Sequence, residues 1–410
     1  MPLVTIGMPL YNAGRNDGRP FKRALDSLLK QTFTDFKVVM VDNASTDDTA
    51  KIIKREVKHD PRFYYQLNDG NWGFYYNATR AMMACESKYY VQFHFDYYFA
   101  PTFLEECVNV LEADPGVMIA YSHCQFVDHA GNLLDLYQET TDLAHKDAGQ
   151  RYLNLLNHVG WCTAYHGVQR YWALTWYLFQ ALGRRNAAWD NEILATVALR
   201  GKLVEIPKPL IFRHKDAYQK EKIPLSEHFD RLYFNYHAYR RAFFLPYCTW
   251  IHDHCQDILE TGLPPARKDE LIHQTVSILL RRYETFLDCE LTRAVRLVLT
   301  GEFKRGVRRW EGDNILAKNE TDVPPKGQYK YLDFVYLAQL VKDLEYANFL
   351  RPDFPKLSLA RAVVRLELGQ PGEAWAALET AYKQDPDNKE VQELRAKLMA
   401  VQGKLAGAPG

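Results

Sequence analysis

Apolar and polar positions along the first hundred residues follow two alternating periods. Leu3 to Pro9 (LVTIGMP) is a short β-rich run, and Phe21, Leu25, Leu28 and Leu29 then recur at the spacing of one helical face. Phe36 to Val41 (FKVVMV) predicts a second strand. Ser45, with Asp48 three residues on, reads as a capped helix start, and Ala50, Ile53 and Val57 give that helix its buried face. Phe63 to Leu67, a helix around Ala78 to Ala84, and Tyr89 to Phe95 continue the alternation. Strand–helix–strand rhythm of this kind predicts a mostly parallel sheet covered on both faces.

Beyond Asp114 the rhythm changes. Val117 to Phe126 predicts a strand that leads into a Trp- and Tyr-rich region. A helix follows from Asp190 to Arg200, stopped by Gly201, and Leu203 to Ile206 and Leu210 to Phe212 read as short strands. After about Pro224 helical periodicity takes over, and a Pro/Gly/Asn-rich stretch from Asp313 to Tyr329 reads as a linker. Leu344, Ala347, Pro352 and Asp353 recur as Leu378, Ala381, Pro386 and Asp387, each 34 residues later. That is a helix–turn–helix solenoid period. The stretch LELGQPGEAWAALETAYKQDPDN resembles a tetratricopeptide repeat, with Gly369, Ala374, Ala381 and Pro386 at its small-residue and turn positions. The expected organisation is an α/β domain over 1–224, a helical accessory region over 225–322 and tetratricopeptide-like repeats over 323–410.

Length and composition fit this division. A chain of 410 residues exceeds one typical domain, and 47% hydrophobic with 25% charged residues is ordinary globular usage. Lys+Arg and Asp+Glu balance at 51 each, so no basic field advertises nucleic acid. Seven scattered cysteines without a CxxC pair suit a reduced, cytoplasmic protein. The start, MPLVTIGMPLYN, lacks a basic segment and reads as a first strand rather than a signal peptide. No apolar run reaches membrane-spanning length, so any membrane contact is expected to be peripheral, at the inner face.

Ligands of open α/β sheets bind at the carboxyl ends of strands. Three such ends here are polar: Pro9-Leu10-Tyr11-Asn12, Asp42-Asn43-Ala44-Ser45-Thr46-Asp47 and His94-Phe95-Asp96. An Asp just past a strand accepts from a base N–H, or serves only as a turn and cap. Together these segments resemble the family 2 glycosyltransferases of GT-A fold, over about residues 3 to 216. MPLYN looks like the family's first strand and nucleotide loop, and VDNASTDDT like its second-strand signature, which carries the base-binding role to Asp42. NDGNWGFYYNATRAM is similar to the segment before the next helix. The resemblance implies donor contacts from Pro9, Tyr11, Asn12, Asp42, Asn43, Ser45, Asn71, Gly73, Asn77 and Arg80.

The family usually ends its fourth strand with Asp-x-Asp, whereas this chain has His94-Phe95-Asp96. Residues i and i+2 on a strand share a side, so His94 and Asp96 are expected to converge on a divalent ion at the diphosphate, with Phe95 facing away. One imidazole beside one carboxylate favours Mn²⁺ over Mg²⁺. His214 stands where relatives carry a late metal or phosphate histidine. The competing reading is that His94 is a packed strand residue and Asp96 alone, or nothing, holds a metal.

The stretch from Trp189-Asp190-Asn191-Glu192 to Gly201 looks like the family's catalytic helix, which makes Asp190 the base that takes the acceptor proton, with Glu192 in reserve. Asp190 read alone is a helix N-cap. Tyr97, Tyr98, Trp161, Tyr165, His166, Trp172 and Trp176 offer aromatic faces for a sugar acceptor, or pack a core. Tyr97, Trp161 and His166, with Glu192, are the acceptor candidates, the run Ala164 to Arg170 resembling an acceptor loop. Cys248, His252, His254 and Cys255 could ligate zinc, but their helical spacing describes a buried stripe equally well.

The expected function is inverting transfer of a sugar from a nucleotide-diphosphate donor, UDP-linked, to a hydroxyl of a saccharide, lipid-linked or protein acceptor. The alternative is a catalytically impaired scaffold that binds nucleotide-sugar and uses its repeats for protein contacts or self-association. A nucleotidyltransferase is disfavoured, because no Gly-rich basic loop follows the first strand.

Overall fold

The computed structural model describes residues 1–71, 74–128, 131–139, 141–158, 162–175, 189–214, 245–301 and 330–406. The chain divides into two compact units: Met1–Arg184 with Ala188–Ala238 and Asp253–Ile278, and Arg185–Ala187 with Tyr239–His252 and Leu279–Gly410.

The first unit is built on one sheet. β1 (Val4–Leu10), β2 (Phe36–Asp42), β3 (Phe63–Leu67) and β4 (Tyr89–Gln92) are parallel, in the spatial order β3-β2-β1-β4. Every residue of β1 is buried, as befits a central parallel strand with two covered faces. Strand alternation sorts β2: Val38 and Met40 join Phe21, Leu25 and Leu28 of α1 (Arg19–Leu29) and Ile52 and Ile53 of α2 (Thr49–Glu56) in the main core. Val39 and Val41 instead meet Ala81 of α3 (Phe74–Met83). α4 (Phe103–Ala113) adds Phe103, Leu104, Cys107 and Leu111 to the main core.

Past β4 the sheet stops being parallel, so the expectation of a mostly parallel sheet describes only its first half. β8 (Val168–Arg170) lies antiparallel between β4 and β6 (Val117–Val127). Gly167 admits it: a Cβ there would stand 2.5 Å from the Ala120 carbonyl oxygen. β6 pairs in parallel with β9 (Lys202–His214), β5 (Tyr97–Phe99) runs antiparallel to β9, and β7 (Leu133–Tyr137) folds back on β6.

Three local expectations change. The fourth strand ends at Gln92 rather than Phe95, and the chain then turns, Tyr97 N–H donating to the His94 carbonyl at 3.1 Å. The runs 203–206 and 210–212 are one strand. Exposed Pro207 and Pro209 fall where β6 shifts register around His123, so their missing N–H groups interrupt no regular ladder. Ser45 does not cap α2, which starts at Thr49. Asp47 accepts the Thr49 N–H at 3.0 Å, and Ser45 is engaged elsewhere.

α5 (Ala148–His158) packs on α6 (Trp189–Ala198), with Arg151 Nε donating to the Ala198 carbonyl at 2.9 Å. α7 (Pro246–Leu259) and α8 (Pro265–Arg282) follow. Within the first unit the buried Thr196 hydroxyl donates to Asp257, and Tyr152 Oη meets His254 Nδ1 at 2.9 Å.

In the second unit, α9 (Glu284–Leu299) places buried Glu290 at the start of α7, where it accepts the Tyr247 and Cys248 N–H groups at 2.9 and 3.0 Å. Burial pushes that carboxyl up to about 8. α10 (Lys330–Leu350), α11 (Leu357–Glu367), α12 (Pro371–Gln384) and α13 (Lys389–Ala406) follow, with Ala362, Ala374, Ala377, Leu378 and Ala381 in one core. Gly369 sits at φ 74°, a left-handed stop between α11 and α12 that glycine adopts without strain. The expected accessory region 225–322 is not a body of its own: residues 253–278 belong to the first unit and 279–301 to the second. The linker expected at 313–329 lies outside the described residues.

The zinc candidates do not gather. Cys248 lies against Glu290, His252 packs edge-on to Tyr346 at 4.7 Å, and His254 is paired with Tyr152. Among the described residues no three His, Cys, Asp or Glu side chains are arranged to hold a metal, and no helix is long and apolar enough to cross a membrane.

Candidate active site

The carboxyl ends of β1, β2 and β3 are joined by a buried amide ladder. Asn43 Nδ2 donates to Asn71 Oδ1 at 2.6 Å, and Asn43 Oδ1 accepts from Asn68 Nδ2 at 3.0 Å. Asn68 Nδ2 also reaches Asn77 Oδ1 at 3.0 Å, and Asn77 Nδ2 donates to the Val41 and Leu10 carbonyls at 2.9 and 3.2 Å. Arg80 closes the ladder by donating to Asn68 Oδ1. Buried amides cost free energy unless paired, so this network fixes the loops that follow the strands.

The loops after β1 and β2 interlock. Asn12, at φ 51°, donates its N–H to Ser45 Oγ at 2.8 Å and accepts the Thr46 N–H on Oδ1 at 2.9 Å. Asp42 is buried: one carboxylate oxygen accepts the Ser45 N–H at 2.9 Å, the other the Tyr65 hydroxyl at 2.7 Å. Burial, and then that bond to Asp42, raise the Tyr65 phenol. Pro9 is buried within β1, while Tyr11 and Tyr65 stand exposed at the rim.

The end of β4 is built differently. His94 stacks on Tyr97 at 5.2 Å between ring centroids, and His166 packs edge-on to both, at 4.9 Å from His94 and 4.7 Å from Tyr97. His166 Nδ1 donates to the Gln92 carbonyl at 3.1 Å. Burial holds both imidazoles below their ordinary value. At His94 the charges of Asp96 and Asp190 oppose that shift and Arg213 reinforces it, so the first turn of α6 comes to the end of β4. Asp190 also accepts the Asn191 N–H at 2.9 Å and lies beside the Cys162 thiol, which burial pushes well up.

The model of the family described as Glycosyl transferase family 2 matches residues 5–166. Over those residues, less than half of the chain, the protein is similar to family 2 glycosyltransferases. Chondroitin synthase of Escherichia coli is 30% identical over 134 residues, 33% of this chain and 19% of that protein. An uncharacterized glycosyltransferase of Methanocaldococcus jannaschii is 27% identical over 134 residues, 32% of this chain and 45% of that one. Hyaluronan synthase of Pasteurella multocida is 29% identical over 135 residues, 33% of this chain and 13% of that protein. The match therefore spans less than half the length of each of these relatives. Among solved structures, S. aureus TarS 1–349 in complex with UDP-GlcNAc aligns at a TM-score of 0.49 and 15% identity, over 90% of this chain and 93% of that one.

Within the segment similar to that family, the donor candidates Pro9, Asn12, Asp42, Asn43, Ser45, Asn71, Asn77 and Arg80 lie along the ladder and the loops. Gly73 lies outside the described residues, as does the acceptor candidate Trp161. The acceptor candidates Tyr97 and His166 are buried in the aromatic stack, and Glu192 is fully buried among the helices, where its charge reaches Tyr152. Tyr97 and Glu192 present no surface to a sugar, and His166 only an edge. Trp172 is exposed.

The three metal candidates do not form one ligand set. His94 and Asp96 sit in a turn, so strand alternation does not align them. In β9, Arg213 pairs in register with Tyr97, whereas His214 lies on the other face with Phe212, near Tyr98, its Nδ1 donating to the Asp128 carbonyl at 3.2 Å. The Arg213 guanidinium, not the His214 imidazole, therefore lies over the Tyr97 ring that stacks on His94.

Several residues of the site carried no signal in the sequence. Asn68 is the hub of the ladder, Tyr65 shares Asp42, and Arg213 faces the histidines. Glu205 on β9 takes the Glu139 N–H on both oxygens, at 3.0 and 3.2 Å, and stands 3.7 Å from His123 Nε2. Burial pushes the Glu205 carboxyl up to about 7. Only Asn68 had a hint, as the first residue of NDGNWG.

Proposed function

We propose that this chain is an inverting glycosyltransferase that moves a sugar from a UDP-sugar to a hydroxyl of a saccharide acceptor. The observation that carries the reading is that the charge of Asp190, from a distant part of the chain, acts on His94 just past β4, the strand that pairs with β1 in the segment similar to family 2 glycosyltransferases. Asp42 and the interlocked loops hold the base and ribose, with Tyr11 and Tyr65 at the rim. Asp190 takes the acceptor proton as the hydroxyl oxygen bonds to the anomeric carbon. The bond from that carbon to the diphosphate breaks, and its electron pair leaves with the phosphate oxygen. Attack opposite the leaving group inverts the anomeric configuration.

Relatives named for chondroitin and hyaluronan synthesis favour a saccharide acceptor over a lipid-linked or protein one. A divalent ion, Mn²⁺ in preference to Mg²⁺, is not part of the mechanism, since His94, Asp96 and His214 do not fit it as a set. The helical hairpins of the second unit, tetratricopeptide-like in sequence, suit a protein contact or self-association. The chain is assigned to the cytoplasm, with any membrane contact at the inner face, and none of its seven cysteines is in a disulfide. The test is the Asp190→Asn variant assayed with a panel of UDP-sugars and saccharide acceptors. Transfer is expected to vanish while UDP binding stays at the wild-type level, and wild-type product should carry the inverted anomer by NMR. Normal turnover in the variant would sink the assignment.

A further inference from the structure

Arg213 is the buried cation of the site. It is 6% exposed on β9, and its guanidinium lies over the Tyr97 ring at 5.0 Å from the centroid, the same ring that stacks on His94. Its charge acts on His94, His166 and Cys162, three groups around the end of β4. Both imidazoles are held toward their neutral forms, so Arg213 supplies the fixed positive charge there. A charge taken out of water is costly to hold and correspondingly strong in its field. The Tyr97 ring steadies one face of a group whose forked donors match phosphate oxygens. That same charge opposes a divalent cation at the adjacent His94–Asp96 turn.

We propose that Arg213 binds the donor's diphosphate and stabilises it as leaving group, without a divalent ion. The proposal rests on the reading of the site as a nucleotide-sugar transferase. As the sugar–phosphate bond breaks, the departing nucleoside diphosphate gains one negative charge on its terminal phosphate. The Arg213 guanidinium meets that charge, while Asp190 holds the proton from the acceptor. A preorganised cation aimed where charge develops favours the transition state over the ground state.

The test is calorimetric titration of the full chain with UDP and with uridine, in EDTA and again in MnCl₂. Wild type is expected to bind UDP in EDTA at least about tenfold more tightly than uridine, the step a charge-assisted contact supplies. Arg213→Gln should erase that preference and leave uridine affinity unchanged. Should that variant fail to fold, Arg213→Lys decides, with UDP weakened several-fold and uridine unchanged. Full UDP preference in either variant, or UDP binding by wild type only when Mn²⁺ is present, overturns the proposal and leaves the transferase reading standing. Absence of UDP binding by wild type in both conditions removes that reading as well.

Discussion

Around Asn68 the first unit pairs buried amides, closed by Arg80 and flanked by the buried Asp42 carboxylate; around His94 it gathers imidazoles, a buried guanidinium and half-buried carboxylates. The ends of β1, β2 and β3 are thus held mainly by amide pairs, while the end of β4 gathers titratable groups. The difference fits the proposed function. A paired amide network holds loops still at any ordinary pH, as nucleoside recognition would require. The proposed transfer moves a proton and builds charge on the leaving group, which calls for groups whose charge responds or is fixed in place.

Four measurements test that contrast, the strongest effect first. Asp190→Asn should lower kcat by about 10²–10⁴-fold, the usual worth of a positioned base, with UDP affinity unchanged. An equal loss of UDP affinity would erase the division. Asn68→Ala should do the reverse: it strands the partners of a buried amide, so denaturant unfolding should show a loss of roughly 1–3 kcal/mol, with weaker UDP binding. If turnover fell with UDP and acceptor binding and stability untouched, the ladder would belong to the chemistry instead.

Glu205→Gln probes the titratable side. The native carboxyl keeps its proton up to about 7, whereas an unfolded glutamate releases it near 4.5. Between those values the native state binds more protons, so this group's contribution to stability falls as pH rises through the window. Thermal melts from pH 4 to 8 should show wild type losing stability relative to Glu205→Gln across that interval, and a constant difference would contradict the shift. The smallest effect is expected at Ala44, which sits in the Asp42 loop at φ 59°. Ala44→Gly should relieve left-handed strain and raise stability by up to about 1 kcal/mol, with UDP affinity retained. A drop in melting temperature would mean the loop is held by more than its hydrogen bonds.

How much of this was legible in the chain divides along the same line. Strand ends and their polar residues are local features: an apolar run, a polar stop and a helix start lie within a dozen residues, so Asn12, Asp42 and Ser45 are legible as polar strand ends. Asn77 and Asp190 are singled out only by the resemblance to family 2 glycosyltransferases. The metal candidates do not form the expected same-side pair because β4 ends at Gln92 rather than Phe95, which leaves His94 and Asp96 in a turn. Glu192 was legible as an acid near Asp190 but not as a buried one, since its neighbours come from helices far away in sequence.

The sequence by itself determined a strand–helix domain, its resemblance to family 2 glycosyltransferases, a helical remainder and the identity of the residues at the first two strand ends. It also presented Arg213 and His214 side by side with no means of choosing between them. Only the tertiary structure chose. Which of two adjacent strand residues faces a site depends on parity, and parity is set by the register of β9 against β5, two segments more than a hundred residues apart. The same holds for the ladder, where Asn68 became a hub because three strand ends met around it. Long-range pairing decided what local pattern could not.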